Sequence, residues 1–387
     1  MAGRENLVLL ATGGTGGHVF PAEALAATLI RRGVKLALVT DRRGHAYGGA
    51  LRNLEVHQIQ AAPMAGRKFF RLAKAACVLA CGFLQAIRLL RRLKPAVVIG
   101  FGGYAPVPAM LAAKCLGIPT ILHEQNAILG RANHLLAPLV TTLAMSFNAT
   151  GNLRPADALK VLVTGNPVRQ AFYEVREKPY PAPLSDGPFA VLVLGGSQGA
   201  SVFARIVPKA LVALDDTARP RLRVSQQCRP EDLNAVRGAY EAAGIAAEVA
   251  SFFEDVPARL STAHLVISRA GASTVAELTT AGRPAILVPY PSATDDHQMA
   301  NARALDEAGG AWLMPESCFT PEALAARIES FLGLPVILNK AAASAKALGQ
   351  GIAAERLADA VMELLADSNG HNGGAQRRNP NAREVAA

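Results

Sequence analysis

Several features that would classify this chain quickly are missing. It has no C-x-x-C pair, and its five cysteines (Cys77, Cys81, Cys115, Cys228 and Cys318) are odd in number. That argues against a disulfide framework or a cysteine zinc site and fits a reducing compartment. No G-x-x-x-x-G-K-(S/T) string occurs, so a Walker P-loop is excluded. No D-x-D pair occurs either, which argues against a metal-bridged diphosphate; the acids of Asp215-Asp216 and Asp295-Asp296 are adjacent and lack that spacing. The longest suspicious uncharged stretch, residues 95–113, is broken by Pro95, Pro106, Pro108, Gly100, Gly102 and Gly103. A membrane-spanning helix needs about 20 predominantly apolar residues and is rarely interrupted so often, so no transmembrane segment is expected. No signal-peptide pattern precedes the first apolar run at residues 7–11.

The 387 residues are 51% hydrophobic and 18% charged, a balance that excludes collagen, coiled coil and wholesale disorder. At about 100–200 residues per domain the length implies two or three domains. Forty Lys+Arg against thirty Asp+Glu leave a net charge of +10, which calls for an anionic partner such as a phosphate ligand or a lipid surface. Nucleic acid is not expected, because no aromatic-interleaved groove or reading helix accompanies the charge.

Short apolar runs alternate with helical patterns almost throughout. Strands are predicted at 7–11, 35–40, 96–100 and 120–122, with helices at 21–32, 69–93 and 106–116. The pattern restarts with strands at 189–194, 221–226, 247–251, 264–268 and 285–289, and helices at 200–214, 230–243, 273–281, 297–308 and 321–331. Alternation of this kind predicts a doubly wound α/β architecture. Residues 169–188 carry Pro179, Pro181, Pro183 and Pro188 among charges and read as a linker; residues 367–387 are polar, glycine-rich and aperiodic and read as a disordered tail. The organisation expected is an N-terminal unit of residues 1–168, the linker, a C-terminal unit of 189–349, a helix at 350–366 returning to the first unit, and the tail. An internal repeat supports two units: residues 8–17 (VLLATGGTGG) and 191–199 (VLVLGGSQG) both read strand, glycine turn, helix. Two Rossmann-like halves imply a cleft between them.

Three glycine turns (13–17, 100–103 and 195–199) suit anion binding, since backbone without Cβ lets a phosphate approach the N–H groups of a helix start. A dinucleotide fingerprint fits poorly, because Gly14-x-Gly16 is followed by Gly17-His18-Val19, which leaves the third glycine out of place. Asp41, at the end of the second predicted strand, nonetheless keeps a dehydrogenase open. His123-Glu124-Gln125-Asn126 places four polar residues after a buried strand, at the edge where α/β sheets hold ligands; helix caps are the plainer reading. Thr274 and Glu277 have the spacing of a capping box, and the same helix start could face a diphosphate with Glu277 on ribose hydroxyls. His18, beside a helix N-terminus, is kept neutral and basic by the dipole, which suits a general base and equally a phosphate donor or a cap. Glu124 is the rival base.

From Val56 to His123 there is no Asp or Glu, against nine Lys and Arg, among them Arg88, Arg91 and Arg92. Between Phe69 and Leu90 the residues Phe69, Leu72, Ala76, Leu79, Phe83, Ile87 and Leu90 recur at three- and four-residue steps. Cationic ends around an apolar stripe describe a helix lying on an anionic membrane surface; packing of the stripe on the sheet is the alternative.

Six ordered strings, GGTGGHVFP at 13–21, GGY at 102–104, HEQN at 123–126, GNPVR at 165–169, GGSQGA at 195–200 and SRAG at 268–271, resemble the MurG family of bacterial peptidoglycan glycosyltransferases over about residues 6–366. The resemblance implies a GT-B fold, two Rossmann-like domains facing a cleft. It also implies inverting transfer of GlcNAc from UDP-GlcNAc to O4 of the MurNAc of lipid I, giving lipid II, with no cofactor and no metal. It puts donor contacts on Thr15, Gly16, Gly17, Asn126, Arg169, Ser197, Phe253, Ala272, Ser273, Thr274, Val275, Ala276, Glu277 and Gln298. Phe253 would meet the uracil through its backbone, and His18, Tyr104 and Glu124 would line the acceptor side. A lipid acceptor implies peripheral attachment to the cytoplasmic face of the bacterial inner membrane and leaves room for cell-wall synthesis proteins as partners. The chain departs from some members where His297 precedes Gln298, in a longer loop at 291–296, and at Pro138, where some members carry a lysine. Another glycolipid-forming GT-B transferase of the diacylglycerol type, a nucleotide-sugar epimerase and a non-catalytic nucleotide sensor are the alternatives.

Overall fold

A computed structural model describes residues 6–13, 16–41, 48–62, 69–196, 200–349 and 351–370. The first sheet comprises β1 (Leu7–Ala11), β2 (Lys35–Thr40), β3 (Glu55–Gln58), β4 (Val97–Gly100), β5 (Thr120–Glu124), β6 (Thr142–Met145) and β7 (Val161–Val163). The second comprises β8 (Phe189–Leu194), β9 (Leu222–Gln227), β10 (Ala246–Ala250), β11 (Leu265–Ser268), β12 (Ala285–Leu287) and β13 (Ala311–Leu313). The strand orders are β3-β2-β1-β4-β5-β6-β7 and β10-β9-β8-β11-β12-β13, and every named pairing is parallel.

Both faces of each sheet are covered by helices, so the central strands are apolar at every position and successive residues feed opposite layers. Val8, Leu10, Val97 and Ile99 point into a layer with the helix Gly16–Arg31, while Leu9, Ala11 and Val98 join the layer of Phe69–Leu93 and Val107–Cys115. In the second sheet Val191, Val193, Leu265 and Ile267 face one core, and Leu192, Val266 and Leu287 the other. The helix Ala353–Gly370 follows the second sheet in sequence but packs Leu357, Val361 and Leu364 into the core of the first. Its Glu355 pairs with Arg31 and Arg32, and its Asp359 with Arg32 at 2.7 Å. The chain reaches that helix through Gly349, where a Cβ would lie 2.1 Å from the Thr279 carbonyl oxygen, so only glycine passes.

Several elements differ from their sequence reading. Strands β3, β6, β7 and β13 were not expected; β7 and β13 are only three residues long, and β3 (EVHQ) and β6 (TLAM) lack a long apolar run. The stretch 169–188 contains a helix, Gln170–Arg176, held by buried Phe172 and Val175. The first helix begins at Gly16, five residues before the predicted start, so His18 lies inside its first turn. Pro21 lies inside this helix, beyond the first four N–H groups, so it withholds one i→i−4 hydrogen bond there. Helix Ala353–Gly370 takes in residues 367–370; the remainder of the tail lies outside the described residues.

Candidate active site at the interdomain cleft

Loops following β1, β4 and β5 meet loops following β11 and β12, where a doubly wound fold places its ligands. Asn301, fully buried in the helix His297–Glu307, makes the junction: its Nδ2 donates to the Asn126 side-chain oxygen and to the Ala270 carbonyl, each at 3.1 Å. Its Oδ1 accepts from the Ala127 backbone N–H at 2.8 Å. Nearby, Arg131 donates to both carboxylate oxygens of Asp295. Arg169 approaches Glu277 at 3.8 Å and stacks over Phe20 at 4.8 Å from the ring centroid.

On the first-domain side β5 runs through Glu124, so His123 and Glu124 belong to the strand itself. Glu124 is 2% exposed, and both of its oxygens are occupied. Oε1 accepts from the Asn126 backbone and side-chain N–H groups at 2.9 and 3.1 Å; Oε2 accepts from the Gly130 N–H at 2.9 Å and from Asn133 Nδ2 at 2.7 Å. The carboxylate therefore shapes the turn at residues 126–133. His18 lies against Gly102 and Gly103, both left-handed (φ +74° and +69°), and a Cβ at Gly102 would come within 3.2 Å of its ring. Its Nδ1 is 3.0 Å from Gln125 Oε1. Burial lowers the His18 pKa, and a nearby His297 adds to that; the Gln125 hydrogen bond, the Glu124 charge and the Phe101 backbone oppose it. Tyr104 is partly exposed on the same loop. Asp41 is buried behind the first turn, its carboxylate 3.3 Å from where a Gly13 Cβ would stand.

On the second-domain side the helix Ala272–Ala281 starts after Gly271, and no side chain caps it. Thr274 is thus the third helical residue, and the capping-box spacing with Glu277 is coincidental. Burial raises the Glu277 pKa to about 7 despite Arg169. Ser268 and Ser273 hydroxyls are buried with no hydrogen-bond partner among the described residues. Gln298 Oε1 accepts from the Tyr290 backbone N–H at 2.9 Å. Phe253 is buried beneath the Arg259 guanidinium, 3.9 Å from its ring centroid, so it offers a ligand its backbone only. Gly16 and Gly17 open the first helix. Thr15 and Ser197 lie outside the described residues.

Residues 8–145 match the model of the glycosyltransferase family 28 N-terminal domain, and residues 190–362 that of the family's C-terminal domain. The UDP-N-acetylglucosamine–N-acetylmuramyl-(pentapeptide) pyrophosphoryl-undecaprenol N-acetylglucosamine transferase of Paramagnetospirillum magneticum is 54% identical over 370 residues, 96% of this chain and 100% of that protein. The crystal structure of Acinetobacter baumannii MurG matches with a TM-score of 0.74 at 32% identity, over 92% of this chain and 99% of that one. This chain belongs to the MurG family. Its fold is accordingly GT-B, two Rossmann-like parallel-sheet domains. A UDP-GlcNAc 2-epimerase from Neisseria meningitidis shares the fold alone, with a TM-score of 0.63 at 13% identity over 92% of this chain and 100% of that one.

Sequence reasoning missed Asn301 and Arg131, whose partners in the other domain lie 164 or more positions away in the chain. It also missed Phe252, 68% exposed beside the buried Phe253. The alternation of a buried and an exposed ring was readable only from which of two adjacent aromatics faces the core. The basic helix Phe69–Leu93 divides differently from its predicted stripe. Leu90 is buried and Phe83 and Ile87 pack on the sheet, while Ala76, Cys77, Ala80, Cys81 and Leu84 are exposed ahead of Arg88, Arg91 and Arg92. Side chains of residues 69–74 lie outside the described ones.

Proposed function

We propose that this family member transfers GlcNAc from UDP-GlcNAc to O4 of the MurNAc of lipid I, forming lipid II. What carries the reading is 54% identity over the full length of a transferase of that name, joined to a cleft with an imidazole on one wall and an uncapped helix start on the other. The second domain takes the donor. Glu277 accepts from ribose hydroxyls, Arg169 and Asn126 border the diphosphate, and Gln298 reaches the sugar; the helix start at residues 272–276 and the turn at Thr15, Gly16, Gly17 supply N–H groups, with Ser197, for the leaving phosphates. The uracil lies against the Phe253 backbone. Among the described residues no three His, Cys, Asp or Glu side chains gather as metal ligands would, and the diphosphate charge is assigned to these N–H groups.

His18 is the base. Its Nε2 takes the O4 proton as O4 bonds to the anomeric carbon and the bond to the UDP oxygen breaks, which inverts that carbon and leaves the proton on the imidazolium. Tyr104 borders the acceptor. Glu124, with four N–H donors already on its carboxylate, is assigned to holding the loop. Residues 1–168 carry the acceptor and 189–349 the donor, with the last helix tying back to the first unit.

No single helix among the described residues is long and apolar enough to cross a membrane. Attachment at the cytoplasmic face of the inner membrane is assigned to the exposed side of Phe69–Leu93. There Leu84, 54% exposed, lies ahead of three arginines. The deciding experiment measures UDP release from UDP-GlcNAc with and without lipid I. Release only with lipid I, yielding lipid II, supports the transferase; release or sugar interconversion without it points to an epimerase or hydrolase. For the membrane face, Arg88, Arg91 and Arg92 changed together to Glu should weaken binding to anionic vesicles while transfer to a short-chain soluble acceptor persists. Vesicle binding indifferent to those changes and to salt assigns the helix to packing alone.

A further inference from the structure

A chain of side chains runs from the interdomain crossover to His18, and its direction is fixed at one end. His123, fully buried, sets Nε2 3.1 Å from the Gly165 carbonyl oxygen. A carbonyl only accepts, so that nitrogen carries the hydrogen. Burial drives the His123 pKa down to about 4, so near neutral pH the ring is uncharged and its Nδ1 holds a lone pair. Gln125 meets that lone pair with its amide nitrogen at 2.8 Å and gives its second hydrogen to the His123 carbonyl at 3.2 Å. The amide cannot be reversed without pointing an oxygen at a lone pair and a carbonyl. Its Oε1 is therefore the end that faces His18 Nδ1, 3.0 Å away.

We infer that His123 and Gln125 are positioning residues that set the tautomer of His18: the Gly165 carbonyl orients His123, His123 orients the Gln125 amide, and Gln125 demands the hydrogen on His18 Nδ1, leaving the lone pair on Nε2. The inference deepens the assignment of His18 as base and rests on it for its functional meaning. Neither residue is assigned a substrate contact; both act through His18. A neutral imidazole in water favours the opposite tautomer, so without the chain His18 would carry its hydrogen on the nitrogen that must accept one. The Phe101 backbone beside the ring favours its protonated form. Gly102 and Gly103 lie against the ring, where an added Cβ would come within 3.2 and 3.3 Å of it. The titratable groups that face His18 are Glu124 on its own wall and His123, together with His297 from the second domain.

The test is imidazole ¹⁵N NMR on full-length protein, with His18 assigned by its loss in His18→Ala. The wild type should show His18 protonated at Nδ1 and bare at Nε2 near neutral pH. In Gln125→Met the resonances should move toward the opposite tautomer, and kcat should fall by about 10-fold to 10²-fold with KM for UDP-GlcNAc unchanged, less than removal of the base would cost. Gln125→Glu, which keeps an oxygen toward His18 but adds charge, should raise the acid limb of the kcat–pH profile. A merely structural residue would move neither the tautomer nor that limb. A wild-type His18 protonated at Nε2 overturns the inference, and that measurement needs no variant to fold. A Gln125→Met protein with the wild-type tautomer and kcat overturns it too. If the tautomer is as stated yet His18→Ala keeps its kcat, the relay stands and the base assignment falls.

Discussion

The polar residues at the end of β5 and those at the end of β11 face the same cleft in opposite conditions. At β5 the groups satisfy one another: Glu124 accepts four N–H donors, and His123, Gln125 and His18 form a directed chain. At β11 they do not. Ser268 and Ser273 hydroxyls are buried without partners among the described residues, and the nearest charge to Glu277 is Arg169 at 3.8 Å. Buried polar groups left unpaired cost about 1–3 kcal/mol each, a cost that a ligand supplying the missing bonds removes. A wall wired in advance suits groups that must be poised before substrate arrives, and a wall with open valences suits binding. The difference fits the proposed division, in which the first domain carries the chemistry and the second the donor.

Removing the poised group should give the largest effect. His18→Ala is expected to lower kcat by about 10²–10⁴ while UDP-GlcNAc affinity, measured by calorimetry, changes little. Near-normal kcat with weakened donor binding would erase the contrast between the walls and make His18 a phosphate contact. Next comes Glu124→Gln, which turns one acceptor oxygen into an amide nitrogen facing two N–H donors. Thermal and denaturant unfolding should show a loss of about 2–4 kcal/mol, with the acid limb of the pH–rate profile retained in the protein that folds. A variant of wild-type stability that has lost that limb would transfer the base role to Glu124.

How far the sequence reveals these walls depends on the range of the interaction. Apolar alternation and glycine turns are local, so two Rossmann-like halves, most central strands and the positions of His18, Glu124 and Glu277 are legible. Periodicity fails for β7 and β13, three residues each, and for the helix Gln170–Arg176, whose proline-rich continuation masks two buried anchors. Thr274 shows the reverse error: its spacing to Glu277 satisfies a local rule, but the helix starts at Ala272, after an extended Gly271, and puts Thr274 inside its first turn. What Asn301 and Arg131 do depends on the other domain, and no local pattern carries that. The amide direction of Gln125 is likewise a tertiary fact, fixed by a carbonyl 40 positions further along the chain at Gly165.

The open wall can be sharpened by titration. Ribose hydroxyls donate to an ionised carboxylate, and burial holds the free Glu277 at about 7. Above that value the carboxylate is ready; below it, binding must first expel a proton. UDP-GlcNAc affinity should therefore be flat above about pH 8 and fall by about tenfold between pH 8 and pH 6, one proton being displaced per ligand. The donor is a diphosphate diester with no titration of its own in that window, so it is a cleaner probe than UDP. Glu277→Gln should bind more weakly at pH 8 and lose the dependence. An unchanged slope in that variant moves the titration to another group and leaves Glu277 without a role in the donor site.

The smallest effect is expected where the walls are tied at the rim. Asp295 and Asp296 both take left-handed backbone (φ +53° and +55°), a conformation that aspartate tolerates better than most residues but that still carries strain. Asp295 is held there by the two-pronged contact with Arg131, whose side chain is 78% exposed. Exposed pairs of this kind contribute little because water and salt compete for both partners. Two residues further along are His297 and Gln298, so the loop has the right position to matter for the sugar, but the buried Asn301 amide already fastens the same helix to the first domain. With the helix anchored from within, Arg131→Ala should change KM for UDP-GlcNAc by less than about fivefold. Asp295→Asn, which keeps the side chain best suited to that backbone, should match it, and both differences should vanish in high salt. A hundredfold loss in either variant that persists in salt would mean that the rim, rather than the buried amide, sets the distance between the two walls.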